Sequence, residues 1–370
     1  MQEAEQVYLL LADGSCFPGR RAGAKAKDEF AELVFTTAAG SDTEILTDPA
    51  FSGKIILRTF PISGAAGYCR EDMQRDFISC LGYCVKQISD FPSNFRADGS
   101  LDRLLKEEDI PAVTGIDTRM ICGILREKGS MNAVITSDPE SIDLNALKEF
   151  TAEPQLPKVS TSEVSFYPAI KQKKHQPAPE AALIDLGAKR STLRFLRENG
   201  CGVKVFPYTA SAEEILAAKP DGILFCGGPG DPRDYPELIE SCRTLMQSPL
   251  PVLGIGFGHL LMAASSGLKL EKMKQGHRGN NQAVKSSRDG KIYMSAQNHA
   301  YVVRDEGLYK KGAEVSFRNV HDKSIEGLDY VNSRNFSWQF YPEGAAGPED
   351  TKFLYKRFIN ALEAQDAAGY

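Results

Sequence analysis

The sequence predicts an α/β protein with two domains, of which the second is a doubly wound parallel sheet. From about residue 181 onward, apolar runs alternate with helical segments, and strands separated by helices pair in parallel through right-handed crossovers. The preceding region mixes short β-like runs with a few helices, which predicts a mixed α/β domain. We therefore expect a first domain over residues 1–151, a linker over 152–180 and a second domain over 181–370.

The first domain is expected to begin with a β-hairpin. Apolar runs at 7–11 and 15–17 flank Asp13 and Gly14, a pair that suits the primed turns joining twisted strands. Hydrophobic spacing between Met73 and Ile88 is closer to that of a helix than to that of a strand. The remaining expected elements are strands over 33–35 and 54–57 and helices over 101–105 and 119–125.

The linker is predicted from its composition. Proline removes backbone hydrogen-bond donors, and the basic run at 171–174 offers little to bury. The prolines of this stretch are Pro154, Pro157, Pro168, Pro177 and Pro179.

The second domain shows four strands followed by loops. Ser211 and Glu214 form a capping-box pattern that predicts the start of one intervening helix. Ligands of such sheets bind beyond the carboxyl ends of the strands, so the loops at Gly187, Gly227 and Gly256 are the candidate site. The predicted strands are 182–186, 203–206, 222–226 and 251–255.

Composition excludes several classes of function. A net charge of −5 and a pI near 5.7 give no electrostatic reason to expect nucleic acid or an anionic membrane as partner. The sequence contains no apolar run of roughly 20 residues and no secretory signal pattern at its start. The eight cysteines form no CxxC pair, so we expect reduced thiols and a cytoplasmic protein. The five histidines are not clustered along the chain, and no metal is expected.

Two loops of the second domain carry a chemical signal. The glycine-rich run at 227–232 is either an oxyanion-binding loop or a plain tight turn. The run Gly-Ile-Gly-Phe-Gly-His at 254–259 joins a strand to a helix with glycines around one position, which is the pattern of a nucleophile elbow. The central residue is Gly256, so the predicted elbow presents no side chain.

The 254–259 run resembles the Gly-Ile-Cys-Leu-Gly-His-Gln signature of class I glutamine amidotransferases. Segments of both halves resemble the carbamoyl phosphate synthetase small chain in particular, which implies that family's own first domain and an amidotransferase second domain. The similar segments of the second half are 185–190, 228–232, 272–277, 296–299 and 342–343. Those of the first half are 34–35, 44–49, 93–96, 116–119 and 125–129.

The resemblance implies a known chemistry and shows where this chain departs from it. In that family a cysteine thiolate attacks the side-chain amide of glutamine, a histidine oriented by a glutamate moves the proton, and ammonia passes through a tunnel to a large ATP-using subunit. Those roles fall on Gly256, Tyr341 and Glu343, of which only Glu343 is retained. Glycine has no nucleophile, and tyrosine, with a reference pKa of about 10, is a poor base near neutrality. The resemblance therefore predicts that glutamine hydrolysis is lost.

The glutamine pocket implied by the resemblance changes as well. Ala50 and Leu260 replace a serine and a glutamine, which removes polar partners for the substrate. An engineered change would explain Gly256 alone, but not Tyr341, Leu260 and Ala50 together. The other changed positions are Phe257, Ala300 and Tyr301, and the retained ones are Gly228, Gly230 and Asn298.

Three functional hypotheses follow. The first is a non-catalytic small subunit that docks through its first domain on a large synthetase subunit, as a heterodimer or a higher oligomer. ATP, magnesium and bicarbonate would then belong to that partner, with no cofactor on this chain, and the pathway would be arginine or pyrimidine synthesis. The second is a stand-alone regulatory module whose pocket binds another small ligand. The third is an active glutaminase with a relocated nucleophile, for which Cys226 is the candidate, although a buried core thiol is the simpler interpretation.

Overall fold

The computed structural model describes residues 5–171 and 177–364, and the chain divides into two compact units, Met1–Gln155 and Leu156–Tyr370. Residues 172–176, which include most of the basic run of the predicted linker, lie outside the described residues, as do both ends of the chain. The division between the units falls inside the predicted linker, after Gln155.

The first unit is built on a closed seven-stranded barrel with the strand order β1-β2-β8-β6-β4-β3-β9. The strands of the first unit, which comprise the barrel strands and the separate pair β5 and β7, are β1 (Gln6–Leu11), β2 (Cys16–Gly23), β3 (Phe30–Thr36), β4 (Lys54–Arg58), β5 (Ile62–Ser63), β6 (Gly82–Val85), β7 (Gln87–Ile88), β8 (Pro111–Thr114) and β9 (Met131–Thr136). Its helices are α1 (Asp42–Leu46), α2 (Leu101–Glu107), α3 (Thr118–Lys128) and α4 (Leu144–Glu149).

The predicted hairpin is confirmed, because β1 and β2 pair antiparallel with Leu9 opposite Phe17. The predicted helix over 73–88 is wrong, since that stretch contains β6 and β7. Strand β6 lies between β4 and β8 in the barrel, and Tyr83 and Val85 are fully buried. Burial on both faces of a strand leaves an apolar run that periodicity cannot distinguish from a helix.

The second unit contains a ten-stranded sheet with the order β10-β12-β11-β13-β14-β19-β18-β17-β15-β16. Its strands are β10 (Ser165–Tyr167), β11 (Glu180–Asp185), β12 (Gly202–Pro207), β13 (Gly222–Gly227), β14 (Val252–Gly256), β15 (Leu270–Ser286), β16 (Ile292–Val303), β17 (Ala313–Asn319), β18 (Ile325–Tyr330) and β19 (Phe336–Trp338). Its helices are α5 (Leu156–Val159), α6 (Arg190–Glu198), α7 (Ala212–Ala217), α8 (Pro236–Met246), α9 (Phe257–Ser265) and α10 (Tyr355–Glu363).

Four strands of the parallel core were expected from the sequence, and β19 is a fifth that was not predicted. Strands β12, β11, β13, β14 and β19 pair in parallel, and the capping box of Ser211 and Glu214 starts α7. Strands β15 to β18 extend the sheet with antiparallel pairing. Within the segment predicted as a linker, α5 and β10 are regular elements, and β10 pairs antiparallel with β12. Among the described residues, no helix is long and apolar enough to span a membrane.

Candidate functional site

A strand-to-helix turn at Gly256 forms the centre of the candidate site. Strand β14 ends at Gly256 and helix α9 begins at Phe257, while Gly227 at the end of β13 is the register partner of Gly256. The backbone of Gly256 has φ 61° and ψ −115°, a combination that a residue with a Cβ rarely adopts. At Gly258, a Cβ atom would lie 2.2 Å from the carbonyl oxygen of Phe225, so the close packing of α9 on β13 requires glycine there.

The phenol of Tyr341 occupies the space beside this turn. A Cβ atom built on Gly256 would lie 3.2 Å from Tyr341 Oη and 3.4 Å from its Cζ. Tyr341 is buried, and Lys189 Nζ lies 3.8 Å from the centroid of its ring, within the range of a cation–π interaction. The same ammonium group donates a hydrogen bond to the carbonyl oxygen of Ala345 at 3.2 Å. The predicted positions Gly256 and Tyr341 are thus in contact.

Glu343 holds two buried hydroxyl groups. Its Oε1 accepts a hydrogen bond from Thr192 Oγ1 at 2.5 Å, and its Oε2 accepts one from Tyr355 Oη at 2.8 Å. Burial, together with the negative charge of Glu343, raises the pKa of Tyr355 well above its usual range, so this phenol remains a donor. The Glu343 carboxylate therefore links helix α6, which contains Thr192, to helix α10, which begins at Tyr355.

Cys226, the alternative nucleophile, is fully buried at the end of β13. Its Sγ lies 3.6 Å from Thr192 Oγ1. Burial, and secondarily the charge of Glu343, raises the pKa of this thiol well above its ordinary value. A thiol that stays protonated near neutral pH is a weak nucleophile.

Bulky apolar side chains lie beside the glycine-rich loop. Phe257 is buried, and its Cβ would lie 2.9 Å from a Cβ on Gly228. Its ring makes an edge contact with Tyr235 at a centroid distance of 6.2 Å. Leu260, one turn further along α9, is buried in the same apolar core. Both side chains are therefore part of the packed interior.

The other predicted pocket positions are spread over several elements. Asn298, Ala300 and Tyr301 lie on β16, with Asn298 buried and the other two half-buried. Gly230 is exposed in the glycine-rich loop. Ala50 belongs to the first unit, where its backbone N–H donates to Asp48 Oδ1 at 3.0 Å.

No role was predicted for Lys189, Thr192 or Tyr355. Lys189 contacts Tyr341, and Thr192 and Tyr355 donate hydrogen bonds to Glu343. Lys189 lies within the 185–190 segment that carried the resemblance, and this was the one available signal. The histidines are not clustered along the chain, but His277 and His299 meet across β15 and β16, which was not predicted.

A parallel sheet with a glycine-rich loop and a sharp turn at the ends of adjacent strands is the framework of a class I glutamine amidotransferase domain. The family model described as glutamine amidotransferase class-I matches residues 182–361. The model described as carbamoyl-phosphate synthase small chain, CPSase domain, matches residues 9–135.

The chain belongs to the carbamoyl phosphate synthase small-chain family. It is 38% identical to the carbamoyl phosphate synthase small chain of Bacillus caldolyticus, over 98% of each chain. It is 37% identical to the pyrimidine-specific small chain of Bacillus subtilis, over 98% of this chain and 97% of that one. A solved glutamine amidotransferase from Thermotoga maritima is 18% identical with a TM-score of 0.37, covering 52% of this chain and 86% of that one.

Proposed function

We propose that this chain is the small subunit of a carbamoyl phosphate synthase and that it does not hydrolyse glutamine. In this proposal it serves as a structural and regulatory partner of a large subunit that uses free ammonia. The observation that carries the proposal is the contact at the elbow, where Gly256 has no side chain and the phenol of Tyr341 lies against it.

The chemistry of amide hydrolysis explains why this contact matters. Attack on an unactivated amide requires a strong nucleophile and a proton carrier whose pKa lies near the working pH. In a serine protease, loss of the nucleophile or of the histidine lowers turnover about 10⁶-fold. Neither Gly256 nor Tyr341 supplies the missing group, and Glu343 is hydrogen-bonded to two hydroxyl groups.

A relocated nucleophile is disfavoured by the surroundings of Cys226. Its thiol is fully buried, and burial raises its pKa, so little thiolate forms near neutral pH. The substrate would also have to reach the interior of the parallel sheet, where β13 is flanked by β11 and β14.

Docking on a large subunit is supported by the extent of the similarity. Relatives called small chains match this chain over nearly their full length, and the CPSase-domain model matches the first unit. In this proposal the changed positions Gly256, Phe257, Leu260 and Tyr341 belong to the glutamine site that the resemblance implies. In this proposal ATP, magnesium and bicarbonate bind to the large subunit.

The test is an assay of the purified chain, alone and with its large subunit. We expect no glutamate release from glutamine and no carbamoyl phosphate formed from glutamine, whereas ammonia supports carbamoyl phosphate formation by the complex. The ammonia reaction is the internal control for an intact complex. Glutamate release that co-purifies with the chain would contradict the proposal, and its loss in Cys226→Ala would assign the activity to the relocated nucleophile.

Failure to bind any synthetase large subunit would contradict the docking part of the proposal. Such a result, combined with stabilisation of the chain by a small molecule, would favour the stand-alone binding module instead.

A further inference from the structure

Three side chains from different strands converge in the antiparallel half of the second unit. They are His277 on β15, His299 on β16 and Glu326 on β18. One ligand atom from each lies within 4.8 Å of the other two. His277 and His299 are register partners on adjacent strands, and their rings meet edge to face with centroids 5.0 Å apart.

The outer nitrogen of each imidazole already has an acceptor. His277 Nε2 lies 2.9 Å from Asp322 Oδ2, and His299 Nδ1 lies 2.9 Å from the carbonyl oxygen of Tyr301. A carboxylate and a carbonyl only accept, so each of these nitrogens carries the proton. In neutral rings, His277 Nδ1 and His299 Nε2 therefore carry the lone pairs. This arrangement, a histidine whose second nitrogen donates to a carboxylate or a carbonyl, is typical of metal-ligating histidines.

The lone pairs face further acceptors. His277 Nδ1 lies 3.2 Å from Glu326 Oε1, and His299 Nε2 lies 3.8 Å from the same oxygen and 3.2 Å from Gln297 Oε1. The Gln297 amide nitrogen donates to Ser295 Oγ, which directs its oxygen toward His299.

Two donors reach the cluster from its edges. Ser324 Oγ lies 3.1 Å from Glu326 Oε1 and 2.8 Å from Asp322 Oδ1, and its one proton can serve only one of them, while Asn319 Nδ2 lies 3.5 Å from His277 Nδ1. Glu326 is fully buried, and among the described residues its Oε2 has no hydrogen-bond partner. A buried group of acceptors with too few donors is stabilised by a cation.

We propose that His277, His299 and Glu326 form a zinc site. Two imidazoles and one carboxylate are a ligand set that zinc accepts, with a water molecule in the fourth position. Tetrahedral zinc with bonds of about 2.0 Å places its ligand atoms about 3.3 Å apart. The two distances to Glu326 Oε1, 3.2 and 3.8 Å, are close to this value, and binding requires mainly that the two imidazole nitrogens, which lie within 4.8 Å of each other, come closer together.

The surroundings give the ion a route of entry and a structural role. The His277 side chain is 13% exposed and that of Asp322 is 43% exposed, so the cluster opens to solvent on that side. Bound zinc would cross-link β15, β16 and β18, and the β15–β16 ladder is interrupted by a register shift beside His277. Without metal, a proton on His277 Nδ1 would supply the donor that Glu326 Oε1 lacks, with His277 as an imidazolium between Asp322 and Glu326, and zinc would take the place of that proton. Burial opposes that charge, but the two carboxylates outweigh it and raise the pKa of His277 to about 9.

The experiment is a titration of the full chain, freed of metal, with zinc chloride by calorimetry, and with cobalt(II) as an optical probe. We expect one equivalent to bind, with the visible absorption of tetrahedral cobalt, and a rise in melting temperature. His277→Ala and Glu326→Gln should abolish stoichiometric binding, and Asp322→Asn should weaken it about 10- to 100-fold. His321→Ala is the matched control, because His321 is exposed beside the cluster.

Circular dichroism and the melting temperature of each metal-free variant show whether it is folded. Failure of the folded wild-type chain to bind one equivalent of zinc would overturn the proposal and leave the imidazolium arrangement. Unchanged affinity in folded His277→Ala and Glu326→Gln, or equal loss in His321→Ala, would overturn it as well.

Discussion

Replacing Gly256 with alanine should destabilise the second unit far more than the same change at another left-handed glycine. Gly256 has φ 61° and ψ −115°. Holding an L-residue in such a sparsely populated region costs about 1–3 kcal/mol. The added Cβ would also lie 3.2 Å from Tyr341 Oη, and overpacking of this kind costs about 1–3 kcal/mol more. We therefore expect a loss of about 2–5 kcal/mol in the free energy of unfolding.

Gly312 is the matched control. It has φ 70° and ψ 33°, and among the described residues no atom lies within 4 Å of its added Cβ. Gly312→Ala should therefore cost only the left-handed backbone energy, about 1–2 kcal/mol. The assay is urea unfolding followed by tryptophan fluorescence. Trp338 is the only tryptophan and is fully buried in the second unit, so the signal reports on the unit that contains both glycines.

A double-mutant cycle with Tyr341→Phe separates the contact from the backbone strain. Removing Oη deletes the nearest atom and leaves Cζ at 3.4 Å, so Gly256→Ala should cost less in the Tyr341→Phe background than in the wild type. If Gly256→Ala costs no more than Gly312→Ala, and the cycle shows no coupling, the contact described at the elbow is wrong.

Three further predictions concern the same unit. The pair Gly256→Cys and Tyr341→His should not give glutamate release, because Phe257 and Leu260 remain packed in the apolar core where the resemblance implies a glutamine pocket; a turnover typical of glutaminases would contradict this. Glu343→Gln should lower the free energy of unfolding by about 1–3 kcal/mol in urea titrations, since two buried hydrogen bonds to a charged group are weakened; an unchanged midpoint would contradict this. Burial lowers the pKa of His259 to about 3 in the folded chain, whereas a histidine in the unfolded chain has a pKa of about 6.5. Below pH 6.5 the unfolded state therefore binds a proton that the folded state does not, and the free energy of unfolding should decrease by up to about 1.4 kcal/mol for each unit by which the pH falls. His259→Gln should flatten that dependence in urea titrations at pH 5 and 7, whereas the exposed control His321→Gln should keep it.

The elements that could be predicted from the sequence are those set by local patterns. The capping box of Ser211 and Glu214 and the turn at Asp13 and Gly14 each depend on residues close together in the chain, and both form as expected. The helix expected over 73–88 failed because β6 is buried between two other strands, and only the tertiary arrangement distinguishes the two interpretations.

Long-range register limits what the sequence reveals about the site. The residues at positions 256 and 341 could be read from the motifs, but the contact between phenol and turn depends on how the segment after β19 returns to β14. Likewise, the pairing of His277 with His299 follows from the bulged register of two long strands, which no short motif encodes. The two histidines were therefore overlooked as a cluster.

The contacts around the elbow favour a repacked site over one that has lost a single residue. Tyr341 lies under the ammonium group of Lys189, and Glu343 binds Thr192 and Tyr355. An imidazole at position 341 would share the Glu343 carboxylate with these two hydroxyl groups, and the phenol ring beside Lys189 would be removed. Because groups that contact one another do not contribute additively, restoring the cysteine alone would place a strained residue against a phenol and supply no proton carrier. This coupling is the physical reason to expect the ammonia-dependent role proposed above.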